Sequence, residues 1–67
     1  MTQLVEKKHV KYGRTYTRKY AIIYPIKKNG ERYANPIEYE AYGNEQTQED
    51  VLVRLQENNP TRRYEIA

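Results

Sequence analysis

The chain has 67 residues, a net charge of +3 and no cysteine. A chain this short builds a core worth only about 3–5 kcal/mol of stability, and no disulfide can add to it. Eight tyrosines accompany thirteen Met, Leu, Ile and Val residues, so tyrosine must supply much of the core. We expect one small domain, residues 1–67, that works through its surface, because so short a chain cannot readily enclose a catalytic cavity.

No segment has the pattern of a membrane span or a leader. The longest uncharged stretch near the start, residues 20–26, is interrupted by Pro25 and is far below the roughly 20 residues that cross a bilayer. The first six residues do not have the apolar core behind a basic segment that marks a secretory signal. We therefore expect no membrane association and a cytoplasmic protein.

The first dozen residues leave two alternatives open. Residues 4–12 form an additional strand that ends at Gly13, or residues 1–12 form a basic arm.

A β-hairpin is predicted around Asn29-Gly30, which separates two β-rich runs at residues 16–28 and 31–42. Both turn residues tolerate the positive φ of a type I′ turn, and a two-residue loop pairs residues whose numbers sum to 59. This register places the tyrosine-rich face of residues 16–28 in the core. The pairs on which it depends are Tyr20 with Tyr39, Ile22 with Ile37, and the ion pair Lys19 with Glu40.

A helix and a closing strand follow the hairpin. Thr47 is the predicted N-cap, acids occupy the first turn, and the helix ends before Pro60. Residues 62–66 then alternate as a strand, which we place beside residues 16–24, antiparallel to them. The predicted fold is α+β: a small antiparallel sheet of three or four strands with one α-helix packed on one face, in ββαβ order.

Two layouts are similar to this one. The hairpin-then-helix order over residues 14–58 resembles the arm-site-binding domain of tyrosine integrases, from which the closing strand departs. The ββαβ order also resembles small phage proteins that inhibit host enzymes by docking against them. The first resemblance implies DNA binding, and the second implies protein docking.

No motif predicts catalysis. His9 has no second histidine and no cysteine to complete a metal set, and Glu38 and Glu40 lie on an open strand without a pocket. The three glycines are isolated and form no phosphate-binding loop. We expect a non-enzymatic protein without a metal or a cofactor.

Charge is the strongest functional signal. Residues 1–33 hold nine Lys/Arg and two Glu, a net of +7, whereas residues 34–67 hold three Arg and seven Asp/Glu, a net of −4. Residues 7–19 contain seven basic residues, His9 included, interleaved with tyrosines and without an acid. Lys and Arg neutralise phosphates, and Tyr can stack on bases. The predicted nucleic-acid-binding residues are Lys7, Lys8, Lys11, Tyr12, Arg14, Tyr16, Arg18, Lys27, Lys28 and Arg32.

Four alternatives stay open. The basic segment can be a solvated surface that keeps the protein soluble, or the two halves can neutralise each other across the sheet. The protein can instead be a phage-type inhibitor or adaptor that docks on an acidic protein surface through an open sheet edge. It can also be a subunit of a ribonucleoprotein.

We expect a monomer, or a homodimer formed by edge-strand pairing.

Overall fold

A computed structural model describes all residues, 1–67, and contains one antiparallel sheet and one helix. The α+β prediction is confirmed, and the segment before Gly13 is a strand rather than an arm. The elements in chain order are β1 (Val5–Lys11), β2 (Arg14–Ile26), β3 (Ile37–Glu40), α1 (Gln48–Asn58) and β4 (Arg63–Ile66).

The long strand β2 organises the sheet. Along one edge it pairs first with β1, over residues 14–20, and then with β4, over residues 23–26. Its other edge pairs with β3 over residues 20–23. The predicted antiparallel pairing of the closing strand with the strand before the Asn29-Gly30 turn is therefore confirmed. At about 3.3 Å per residue, the 13 residues of β2 span about 40 Å, close to the 45 Å length of the molecule.

The predicted two-residue loop at Asn29-Gly30 is wrong. The Lys27 N–H donates to the Glu31 carbonyl at 2.7 Å, and the Gly30 N–H donates to the Lys27 carbonyl at 2.9 Å. Gly30 alone has a positive φ, 88°, while the Asn29 side chain accepts from the Glu31 N–H at 3.0 Å. These bonds define a three-residue loop, in which only the last residue is left-handed.

The register of β3 also differs from the predicted one, because residues 34–36 leave the ladder after Tyr33, whose N–H still donates to a β2 carbonyl. β3 then pairs with Ile37 opposite Ile23 and Tyr39 opposite Ala21. Because side chains alternate along a strand, a slip of one residue moves the apolar residues of β3 to the other face.

The core lies on the face of the sheet that the predicted register placed toward solvent. Ala21 and Ile23 of β2 are fully buried against Val51 and Leu55 of α1. Partly buried residues in the other strands, or directly after them, complete this face: Tyr39, Ala41, Tyr64 and Ile66. We call this the helix-covered face.

The prediction of a tyrosine core on β2 is therefore wrong. Tyr20, Ile22 and Tyr24 lie on the opposite face, here called the open face, and are half-buried by their neighbours alone. The physical reason is that Glu38, Glu40 and Glu65 pair with these residues and share their face. A helix packed there would have to desolvate three carboxylates.

The predicted ion pair between Lys19 and Glu40 is also absent, because the two residues lie on opposite faces in the observed register. Arg18 approaches Glu40 instead, at 3.6 Å, and Lys19 approaches Glu6 at 3.6 Å.

The helix begins and ends as predicted. Thr47 is the N-cap, with a reciprocal capping box to Asp50, and Asn59 is the C-cap immediately before Pro60. Val51 and Leu55 form the buried stripe.

Candidate nucleic-acid interface

The β1–β2 hairpin forms a two-stranded ribbon that projects from the helix-covered part of the sheet. Its loop is Tyr12-Gly13, and both residues have positive φ, 53° and 72°, as a type I′ turn requires. Beyond the β3 pairing, which stops at Tyr20, the ribbon has no third strand. The sequence does not predict this turn, because tyrosine is a poor residue at positive φ, whereas Asn-Gly is a strong hairpin signal.

The predicted site residues of the ribbon are divided between its two faces. Cross-strand partners share a face, so the open face of the ribbon carries most of the predicted residues, together with His9. They are Lys7, Lys11, Arg14, Tyr16 and Arg18. Lys8 lies on the other face, opposite Thr17, and Tyr12 occupies the tip.

The two predicted stacking tyrosines have different surroundings. Tyr12 is 93% exposed, and its only aromatic-type contact is the Lys11 ammonium, 5.6 Å from the ring centroid. Tyr16 is half-buried, with the His9 ring stacked at 5.6 Å and the Arg18 guanidinium 5.1 Å from its centroid. Tyr12 is therefore free to meet a ligand, while Tyr16 supports its neighbours.

His9 is part of a small aromatic cluster on the open face. Its Nε2 lies 3.0 Å from the Tyr20 hydroxyl, at hydrogen-bond distance. The Lys7 ammonium lies 5.8 Å from the Tyr20 ring centroid. These contacts order the root of the ribbon, where it joins the body of the sheet.

Five of the twelve cations form ion pairs with carboxylates, and three of these five belong to the predicted site. Three of the pairs join the two halves of the chain across the sheet, so the neutralisation considered above holds for part of the charge. The pairs are Lys7–Glu38, Arg18–Glu40, Arg32–Glu65, Lys19–Glu6 and Arg54–Glu45.

The other seven cations have no carboxylate partner, and they lie at the two ends of β2. The ribbon end carries Lys8, Lys11 and Arg14, and the opposite end carries Lys27, Lys28, Arg62 and Arg63.

The second group lines an open groove of about 600 Å³. Lys27 and Lys28 come from the loop after β2, and the pairing of Ile26 with Arg63 brings the start of β4 beside them. The Lys27 ammonium lies 5.4 Å from the Tyr33 ring centroid. Arg62 and Arg63 were not among the predicted site residues, because their position beside the lysines depends on where the closing strand pairs.

Arg32 was also predicted to contact nucleic acid, at the hairpin tip, but its side chain is held by contacts within the sheet. It pairs with Glu65 and lies over the Tyr24 ring, with its guanidinium carbon 5.1 Å from the centroid. On the helix-covered face, burial and then the neighbouring Tyr64 raise the pKa of the Tyr39 hydroxyl, although Arg62 lowers it. Tyr39 therefore stays neutral and acts as a core residue.

The molecule has no helix of the length and apolar character needed to cross a membrane. No three His, Asp or Glu side chains cluster closely enough to hold a metal ion. Comparisons with protein-family models, curated proteins and solved structures found no match for this chain.

Proposed function

We propose that this protein binds nucleic acid, without catalysis, through the basic β1–β2 ribbon. The observation that supports this proposal is the charge at the ribbon end. Lys8, Lys11 and Arg14 have no carboxylate partner, and residues 7–30 contain no acid at all. A two-stranded ribbon is narrow enough to enter a nucleic-acid groove, and unpaired cations there can replace condensed counterions on phosphates.

The conformation of Tyr12 supports the same surface. A bulky residue at positive φ costs about 1–2 kcal/mol, and Tyr12 recovers little of this through packing because it is 93% exposed. Asparagine or glycine would make a more stable turn at this position. An exposed aromatic ring held in a strained turn at a basic tip is well placed to stack on a base.

The remaining predicted residues have secondary roles in this proposal. Lys7, Arg18 and Arg32 must exchange a carboxylate for a phosphate, so each contributes less than an unpaired cation. Lys8 faces away from Lys11 and would contact the flanking backbone. Tyr16 holds the Arg18 guanidinium in place.

Fluorescence anisotropy with labelled single- and double-stranded oligonucleotides, titrated with salt, tests the proposal. We expect micromolar or tighter binding at 50 mM salt and a log–log salt slope of about −3 to −6, which corresponds to roughly three to seven phosphate contacts. Negligible affinity for every oligonucleotide at 50 mM salt would overturn it.

A second candidate function is docking on an acidic protein segment by strand addition. The observation in its favour is the outer edge of β1, which has no strand partner and carries three lysines. In a hairpin with a two-residue loop, the N–H of Val10 points outward. Val10→Pro should therefore prevent strand addition while leaving the hairpin ladder and nucleic-acid binding intact. A single protein partner, recovered from nuclease-treated lysate by the wild type and lost with Val10→Pro, would favour this function.

A further inference from the structure

We propose that the groove at the far end of β2 is a second phosphate-contact site, and that both ends of the strand engage one DNA duplex at once. This inference rests on the proposed function and specifies it: the ligand is duplex DNA of at least about one helical turn. The cations without a carboxylate partner lie at the two ends of the sheet, and this distribution supports the proposal.

The groove is the larger of the two basic clusters. Four cations line it, and none of them has a carboxylate within ion-pair distance. The residues are Lys27, Lys28, Arg62 and Arg63. Two come from the loop after β2, and the other two are the first residue of β4 and the residue before it, so strand pairing assembles the cluster. Like charges brought together without a counter-charge are unfavourable, and a polyanion would relieve their repulsion.

Between the two ends, the open face is electrostatically balanced. Lys7 and Arg18 are paired with carboxylates of β3, and Arg32 is paired with Glu65 of β4. The unpaired cations are therefore separated by the length of β2, about 40 Å. Base pairs rise about 3.4 Å along each strand of B-form DNA, so 40 Å corresponds to about 12 base pairs. A duplex much shorter than this reaches only one end.

The shape of the protein favours a duplex that lies along its long axis. The ribbon has no covering element on its open face, and a two-stranded ribbon fits the B-form major groove, which is about 12 Å wide. The deep and narrow major groove of A-form RNA excludes such a ribbon. Lys11, Arg14 and Arg63 all lie on the open face, one group at each end.

Salt titrations with duplexes of 8, 12, 16 and 20 base pairs test the inference. On 8 base pairs, contacts from one end predict a log–log slope of about −3; on 16 or more, contacts from both ends predict about −6. Affinity should rise at least about 30-fold between 8 and 16 base pairs, beyond the statistical gain from additional binding positions.

Two variants with the same change in net charge sharpen the test. Lys28→Gln/Arg63→Gln removes two groove cations and should abolish most of the length-dependent gain. Lys19→Gln/Arg54→Gln removes two cations that are already ion-paired and that belong to neither proposed contact site, and should preserve the gain.

The outcomes separate the inference from the proposed function. Binding with the same slope at every duplex length would overturn the two-ended contact but leave nucleic-acid binding in place. A length-dependent gain on single strands alone would overturn the assignment to duplex DNA. No binding at any length would overturn both proposals.

Discussion

The Gln48 side chain supplies hydrogen bonds at a gap in the sheet, between the segment of β2 that pairs with β1 and the segment that pairs with β4. Along one edge of β2, the pairing with β1 stops at Tyr20 and the pairing with β4 starts at Ile23. The Gln48 side chain, in a residue only 5% exposed, accepts from the Ile22 N–H at 3.1 Å and donates to the Gln3 carbonyl at 2.9 Å. One amide thus satisfies two backbone groups between the two strands.

Gln48→Leu keeps the volume but leaves both backbone groups without a partner. Each unsatisfied buried group costs about 1–3 kcal/mol, so for two groups we expect a loss of about 2–6 kcal/mol. A chain of this size has only about 3–5 kcal/mol of stability. The variant should therefore be largely unfolded, or should melt at least about 10 °C lower, since 1 kcal/mol shifts Tm by about 4–8 °C in a small domain.

Gln48→Glu separates the two hydrogen bonds. The carboxylate still accepts from the Ile22 N–H but cannot donate to Gln3, so we expect a loss of about 1–2 kcal/mol at neutral pH. Burial raises the pKa of the new carboxyl in the folded state, and its protonated form regains a donor. Relative to the wild type, stability should recover at acidic pH and be lost as pH rises through the raised folded pKa.

Urea denaturation followed by far-UV circular dichroism, at several pH values, measures these effects. Gln56→Leu is the matched control, because it makes the same change on an exposed position of the same helix. This account of the junction is wrong if the free energy of unfolding of Gln48→Leu lies within about 0.5 kcal/mol of the wild-type value. It is also wrong if the stability of Gln48→Glu depends on pH in the same way as that of the wild type.

Three further predictions concern the ribbon and the helix start. Tyr12→Asn should stabilise the fold by about 0.5–1 kcal/mol, because asparagine tolerates positive φ, yet weaken oligonucleotide binding; an unchanged affinity would remove Tyr12 from the interface. Lys11→Gln should weaken binding and make the log–log salt slope shallower by about 1, whereas the ion-paired Lys19→Gln should not; equal effects would contradict a localised site. Hydrogen bonds from the backbone N–H groups of Gln46 and of the residue after it lower the pKa of Asp50. The stabilisation from this carboxylate is present above its unfolded pKa and lost as pH falls through its folded pKa. Asp50→Asn should therefore flatten the acid limb of the stability curve, and an unchanged limb in acid titrations would refute this.

The sequence by itself determined the features of this fold that depend on interactions between residues close together in the chain. Thr47 and Asp50 specify where the helix begins, and Pro60 ensures that it ends, because capping and proline geometry act over a few residues. The alternation in residues 62–66 is sufficient to predict a strand with Tyr64 on its apolar face. The basic segment at residues 7–19 is visible without any structure.

Tertiary structure alone decided the register and therefore the faces. Asn29-Gly30 is compatible with loops of two or three residues, and the difference of one residue exchanges the core and open faces. What selects the observed face is the combined burial of Ala21 and Ile23 under α1 and the exposure of carboxylates from two other strands.

The candidate site divides in the same way. Sequence supplied the cations of the ribbon, but ion pairing across the sheet decided which of them stay free. Arg62 and Arg63 reach the groove only because β4 pairs at the end of β2, some 40 residues away along the chain. Interactions within one turn or one loop are encoded locally, whereas contacts between distant strands depend on the packing of the whole sheet.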